Sequence, residues 1–156
     1  KENKLNEKAT KTIQPNRVVF KDKTNGKAHT ILAPGGDRKR SVVRMGIVTV
    51  SRIASQIVAV FTMDRSLDEQ FEFFRDLRYF PEEIYVCINK IDLVDGDQDK
   101  IKKATKRIEE FFEDSDIKVL DTFYTCAEEI ESFDQTETYN DNTAKMMLDI
   151  TINRPA

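Results

Sequence analysis

The sequence has few of the residues that build metal centres and disulfide frameworks. It contains two cysteines, one histidine and no tryptophan among 156 residues. Cys87 and Cys126 lack the close spacing of a metal-binding pair, and Cys87 falls within an apolar run, so we expect reduced thiols and a cytoplasmic protein. His29 has no second histidine or paired carboxylate near it in the sequence, which favours a structural role over a catalytic or metal-binding one.

Long apolar runs are also missing. No stretch approaches the roughly 20 residues that span a bilayer, and neither end carries a signal peptide or lipidation motif, so we expect no integral membrane segment. The net charge of -3 gives no general attraction to nucleic acid or to anionic membranes. The chain has the length of one domain and can bury about two thirds of the surface that its unfolded form exposes.

Short apolar runs alternate with amphipathic segments along most of the chain. Such alternation is typical of right-handed βαβ units, and it predicts an α/β fold with a mostly parallel sheet flanked by helices on both faces. The predicted buried strands are 56–62, 84–88 and 117–123. The predicted helices are 41–55, a helix after a capping box at Ser66 and Glu69, 98–114, and a last helix capped by Asp141 or Asn142 that buries Ala144, Met147 and Leu148.

Ahead of these units, two extended segments flank Asn25-Gly26. Both residues of this dipeptide tolerate positive φ, so 17–23 and 28–32 are predicted to pair as an antiparallel hairpin at the edge of the sheet.

The most informative stretch is the run Ile84–Ile88, which ends abruptly in Asn89, Lys90 and Asp92. Ligands of open α/β sheets bind outside the carboxyl ends of the strands. The two oxygens of a carboxylate can accept from both N1–H and the exocyclic amine of guanine, a pair of donors that adenine lacks, so Asp92 suits a guanine base. Lys90 can lay its aliphatic stem along the purine face, and Asn89 can tie neighbouring loops together or approach the other edge of the ring. The alternative is a surface loop with an Asx turn.

The order of these features resembles the Ras-like small GTPase superfamily, and most of all its Arf-like and MglA-like prokaryotic or archaeal branches, over residues 12–149. The resemblance implies a P-loop NTPase fold of the G-domain type. Asn89-Lys90-Ile91-Asp92 matches the family's base-recognition motif. Thr125-Cys126-Ala127 resembles its Ser-Ala-Lys loop, although Cys126 replaces the serine and Glu128 the lysine. This implies that Cys126 and Ala127 also bind the nucleotide, the latter through its backbone N–H.

Two further stretches resemble the family's switches. Thr12, in Thr-Ile-Gln-Pro-Asn, resembles the first-switch threonine, which implies that it binds Mg2+ and senses the third phosphate. Gly35, in Ala-Pro-Gly-Gly, resembles the second-switch glycine whose N–H contacts that phosphate. The implied cofactors are GTP or GDP and Mg2+, and the implied partners are effector or regulator proteins that bind the regions around Thr12 and Gly35.

Departures from the family pattern bear on hydrolysis. Leu32 stands where the family has the aspartate that holds Mg2+ through water, and Gly36 stands where it has the glutamine that orients the attacking water. The resemblance therefore implies slow hydrolysis, with Arg38 and Arg40 as the nearest substitutes and no catalytic residue assigned. The phosphate-loop motif Gly-x-x-x-x-Gly-Lys-[Ser/Thr] is also missing from the sequence. We therefore expect 1–156 to be a single small GTPase-like domain whose first strand and phosphate loop precede this chain.

Three functions agree with these patterns. The first is a guanine-nucleotide switch that hydrolyses GTP slowly. The second is a pseudo-GTPase that keeps the fold and serves as a protein-binding module. The third is a response-type α/β domain with Asp64 as its carboxylate site. It has less in its favour, because no second acidic pair lies near Asp64.

Overall fold

The structure, a computed structural model, describes residues 16–21, 26–33, 40–74, 80–126 and 135–151. Their contacts divide the chain into two compact units. One unit takes its described residues from Lys1–Ser55 and Phe73–Tyr79, and the other from Gln56–Glu72 and Phe80–Ala156. The expectation of a single GTPase-like domain with an upstream phosphate loop stays a prediction.

The first unit contains the predicted hairpin. Strands β1 (Asn16–Lys21) and β2 (Ala28–Ala33) pair antiparallel, with Asn16 opposite Ala33 and Lys21 opposite Ala28. The pair forms a two-stranded sheet of its own, so the expectation that it edges the parallel sheet is wrong for the described strands. An Asn-Gly turn joins two strands to each other and carries no information about a third.

Helix α1 (Arg40–Ile53) follows the hairpin. It runs without a break through Val48-Thr49-Val50, where β-branched residues lower the helix propensity by well under ~1 kcal/mol each. The hydroxyl groups of Thr49 and Ser51 donate to the carbonyls of Met45 (2.8 Å) and Ile47 (2.7 Å), four residues earlier. These polar side chains are therefore satisfied within the helix.

The second unit is built on a three-stranded parallel sheet with the order β3, β4, β5. These strands span Val58–Thr62, Glu83–Asn89 and Lys118–Tyr124. All five side chains of 84–88 in the central strand are buried, as the apolar run predicted. The fold of this unit is therefore α/β around a parallel sheet.

Helices cover both faces of this sheet. The structure has α2 (Leu67–Phe71), continued by a 3-10 turn at Glu72–Phe74, then α3 (Gln98–Glu113) and α4 (Thr136–Thr151). On one face Phe61, which lies beside Ile88 in the strand register, meets Phe112 of α3 with ring centroids 6.2 Å apart. On the other face Tyr85, Cys87 and Phe123 pack with Met146 of α4. In the described residues no helix has both the length and the apolar character needed to cross a bilayer.

One predicted helix cap does not form. Ser66 precedes α2, but its side chain makes no capping hydrogen bond, so the predicted capping box is wrong. Helix α3 begins at Gln98, as predicted, and is capped by Asp97, because the carboxylate of Asp97 accepts from the backbone N–H groups of Asp99 (3.0 Å) and Lys100 (3.3 Å). Such a cap stabilises a helix by about 1 kcal/mol.

The last helix starts earlier than predicted. It begins at Thr136, and Asn142 lies inside it, donating from Nδ2 to the carbonyl of Tyr124 at 2.9 Å. Ala144 and Leu148, predicted to be buried, are exposed, whereas Met146 is buried and Met147 is partly buried. Asn142 was thus mistaken for a capping residue, whereas its side-chain amide makes a tertiary contact from inside the helix.

Candidate functional site

The candidate site lies where β4 and β5 end. Asn89 is the last residue of β4, and Lys90 follows in the left-handed region with φ 60° and ψ 40°. A 3-10 turn then spans Ile91–Val94 and ends at Asp95, which also has positive φ. Left-handed backbone is uncommon for a long side chain such as lysine, and residues in such sparsely populated conformations cluster at functional sites.

Backbone hydrogen bonds fasten this turn to the segment that follows β5. The N–H of Thr125 donates to the carbonyl of Ile88 at 2.9 Å, and the N–H of Ile91 donates to the carbonyl of Thr125 at 3.3 Å. The ends of both strands are therefore held together, and the side chains of the two segments face one edge of the sheet.

A buried polar chain orients Asn89. The hydroxyl of Thr125, a residue that is 2% exposed, donates to Oδ1 of Asn89 at 2.9 Å. The Thr125 hydroxyl has one proton, which it gives to Asn89, so the thiol of Cys87 is the donor in its 3.4 Å contact with Oγ1 of Thr125. Burial raises the pKa of Cys87, against a smaller opposite effect of the Thr125 hydroxyl, which keeps the thiol protonated and able to donate. Asn89 thus ties the two loops together, the first of the two roles considered for it.

Asp92 is held by the other cysteine. The thiol of Cys126, which is 1% exposed, donates to Oδ1 of Asp92 at 3.4 Å. A thiol is a weaker donor than the serine hydroxyl that the resemblance leads one to expect at this position. Asp92 itself is only half-buried, and each oxygen of its carboxylate has two lone pairs with which to accept from a ligand.

Lys90 reaches the end of the third strand. Its ammonium lies 2.7 Å from Oδ2 of Asp64, which follows β3, and the two side chains are 47% and 25% exposed. Partial burial raises the pKa of Asp64, but the hydrogen bonds from Lys90 and Thr62 and the charge of Lys90 outweigh it, so this pKa lies below its usual value. The sequence suggested each of these residues separately and missed the pair. Both residues follow neighbouring parallel strands, in which Thr62 lies opposite Asn89. The sequence alone does not show which strands are neighbours, so it did not bring the two residues together.

Several predicted site residues lie outside the described part of the chain: Thr12, Gly35, Gly36, Arg38 and Ala127. Arg40 begins α1, and its side chain is likewise not described. Leu32 lies in β2 and is half-buried. Within the described ranges, His, Cys, Asp and Glu side chains form no group of three that is suited to hold a metal ion.

The described residues thus offer a fixed carboxylate, a fixed amide and an anchored ammonium at one edge of a parallel sheet. This set of groups can bind a planar heterocycle that presents two adjacent N–H donors. Comparison of the chain with protein-family models and with curated proteins gave no match.

Proposed function

We propose that this protein is a guanine-nucleotide-binding molecular switch of the Ras-like type, which binds GTP and GDP with Mg2+ and hydrolyses GTP slowly. The observation that carries the proposal is the convergence of four side chains at the ends of β4 and β5. These are Asn89 and Asp92 with the two residues that hold them, Thr125 and Cys126.

Base selection follows from the chemistry of Asp92. Guanine presents N1–H and an exocyclic amine side by side, and a carboxylate offers an acceptor to each of them. Adenine has an acceptor at N1 and would face the carboxylate with repulsion between lone pairs. Hydrogen bonds to charged groups contribute about 1.5–3 kcal/mol each, enough to make Asp92 the main determinant of the base.

The phosphate and metal parts of the proposal depend on the resemblance. Thr12 would hold Mg2+, which supplies charge neutralisation at the phosphates, and Gly35 would contact the third phosphate. The described residues do not add a metal ligand there, since Leu32 has a hydrocarbon side chain where the resemblance expects an aspartate. Gly36 has no side chain to orient water, which is the reason to propose slow hydrolysis.

The switch would act through partners. The regions around Thr12 and Gly35 would change conformation between the GTP and GDP states and so alter the binding of an effector or regulator protein. We propose that the α/β architecture is a G-domain fold that extends over the whole chain. We also propose a cytoplasmic location. Cys87 and Cys126 are buried thiols that form no disulfide, which supports the cytoplasmic location.

A competition titration tests the proposal. The protein is titrated with fluorescently labelled GDP in the presence of Mg2+, and unlabelled GDP or ADP is then added. We expect GDP to displace the probe and ADP to need a concentration at least about 100-fold higher, the effect of ~3 kcal/mol. No saturable binding, or equal displacement by ADP, would refute guanine recognition. Phosphate release from GTP then reports whether binding leads to hydrolysis.

A pseudo-GTPase that binds a protein partner is the second candidate. It is favoured by Leu32 and by exposed apolar residues of the hairpin, Val19 and Ile31, which are 54% and 37% exposed. Apolar side chains that remain exposed are common at protein-binding surfaces. This candidate predicts no binding of labelled GDP at micromolar concentration, so the same titration separates the two.

A further inference from the structure

The turn after β3 is organised by a buried glutamine. The side-chain amide of Gln70 accepts from the N–H of Thr62 at 2.8 Å and donates to the carbonyls of Thr62 at 2.9 Å and Arg65 at 3.2 Å. Gln70 is 9% exposed. Because one amide fastens the backbone on both sides of Asp64, this residue lies in a fixed turn and not on a loose loop.

Asp64 in turn has a fixed orientation toward the base loop. Its carboxylate accepts from the Lys90 ammonium at 2.7 Å. The left-handed backbone of Lys90 sets the direction in which its stem leaves the loop. A free lysine side chain samples many rotamers, and each rotamer lost on binding costs affinity.

We propose that Asp64 is a positioning residue of the base site, which anchors the Lys90 ammonium so that the aliphatic stem is already placed along one face of the guanine ring before the nucleotide binds. Asp64 does not contact the nucleotide in this arrangement. The inference rests on the proposed function and adds a third strand end to the site, that of β3.

The size of the effect follows from the exposure of the pair. Ion pairs with this degree of exposure to water contribute modestly, so loss of the anchor should weaken guanine-nucleotide binding by about two- to five-fold. Lys90 would contribute more than Asp64, because its stem makes the contact with the base and Asp64 only holds it in place.

A double-mutant cycle tests this role. The dissociation constant of labelled GDP is measured for the wild type, Asp64→Asn, Lys90→Met and the double variant. We expect Asp64→Asn to raise it about two- to five-fold in the wild type and to have no effect in the Lys90→Met background. The matched control is Asp68→Asn, which breaks another exposed ion pair, that of Asp68 with Arg107 at 2.6 Å, and should leave GDP binding unchanged.

The outcomes separate this proposal from the one on which it rests. An equal loss from Asp64→Asn in both backgrounds, or wild-type affinity in Asp64→Asn, would refute the positioning role and leave guanine binding intact. Absence of GDP binding by the wild type would refute both. Urea unfolding of each variant shows whether it is folded. If Asp64→Asn is not, Asp64→Ser takes its place in the cycle with the same expected pattern.

Discussion

Replacing Asp92 with asparagine should change the base that the site prefers. In the new side-chain amide only the oxygen can accept a hydrogen bond from the Cys126 thiol. This contact would therefore orient the amide with its oxygen toward Cys126 and its NH2 group at the position that Oδ2 has in Asp92. That NH2 group would face a donor of guanine, and one charge-assisted hydrogen bond worth about 1.5–3 kcal/mol would be lost. GDP binding should weaken about 10- to 100-fold.

Xanthine has a carbonyl where guanine has its exocyclic amine, so it would accept from the new NH2 group. The dissociation constants of labelled GDP and labelled xanthosine diphosphate, measured for the wild type and Asp92→Asn, should therefore change in opposite directions. The matched control is Asp95→Asn, which removes the same charge three residues away at a position with φ 53° that asparagine tolerates. Guanine affinity in Asp92→Asn within about two-fold of the wild type would refute the assignment of Asp92, since a single lost bond of this kind exceeds that change.

Three further changes test the packing and charge of the same region. Cys126→Ala should weaken GDP binding about two- to five-fold in a titration, because it removes a donor worth ~0.5–1 kcal/mol, whereas Cys126→Ser should stay near the wild type; equal losses would argue against a donor role. Gly96→Ala should lower the free energy of unfolding in urea by about 1–2 kcal/mol, because Gly96 has φ 67° and a Cβ there would lie 3.0 Å from Oε1 of Gln135; an unchanged value would contradict this backbone strain. Because the pKa of Asp64 is lowered in the folded state, its pair with Lys90 should stabilise the fold above the unfolded-state pKa of about 3.9, and this contribution should disappear as the pH falls through the folded-state value. The difference in unfolding free energy between the wild type and Asp64→Asn, measured against pH, should therefore be constant near neutrality and vanish in acid, and a difference that persists in acid would contradict the pairing.

The sheet of the second unit was predictable because its signal is local. Five consecutive apolar residues at 84–88 indicated a strand covered on both faces, and the polar residues that follow it marked the edge where ligands of such sheets bind. The same reasoning placed Asn89, Lys90 and Asp92 at that edge. Their positions were thus predictable from one stretch of chain.

The partners of these residues were harder to predict, because they come from elsewhere in the sequence. The carboxylate of Asp64 is 26 residues from Lys90, and Cys126 is 34 residues from Asp92. No sequence pattern singles out Gln70, yet its side-chain amide accepts from the backbone N–H of Thr62 eight residues earlier. Such contacts depend on which strands are neighbours, which local patterns do not specify.

The predicted cap of α2 and the predicted start of α4 were wrong for a related reason. Ser66 and Asn142 have the side chains of capping residues, but Ser66 makes no capping hydrogen bond and Asn142 bonds to the end of β5 from inside α4. Cap propensity is worth only about 1 kcal/mol, so tertiary packing readily overrides it.

Guanine recognition at this sheet edge can be tested directly with a nitrogen-proton correlation spectrum of the wild-type protein during titration with GDP and, separately, with ADP. We expect saturable shifts for the backbone amides of Asn89, Lys90, Asp92 and Thr125 with GDP and much smaller ones with ADP at the same concentration. Equal shifts with both nucleotides, or none at these four residues with GDP, would contradict the claim that this sheet edge recognises guanine.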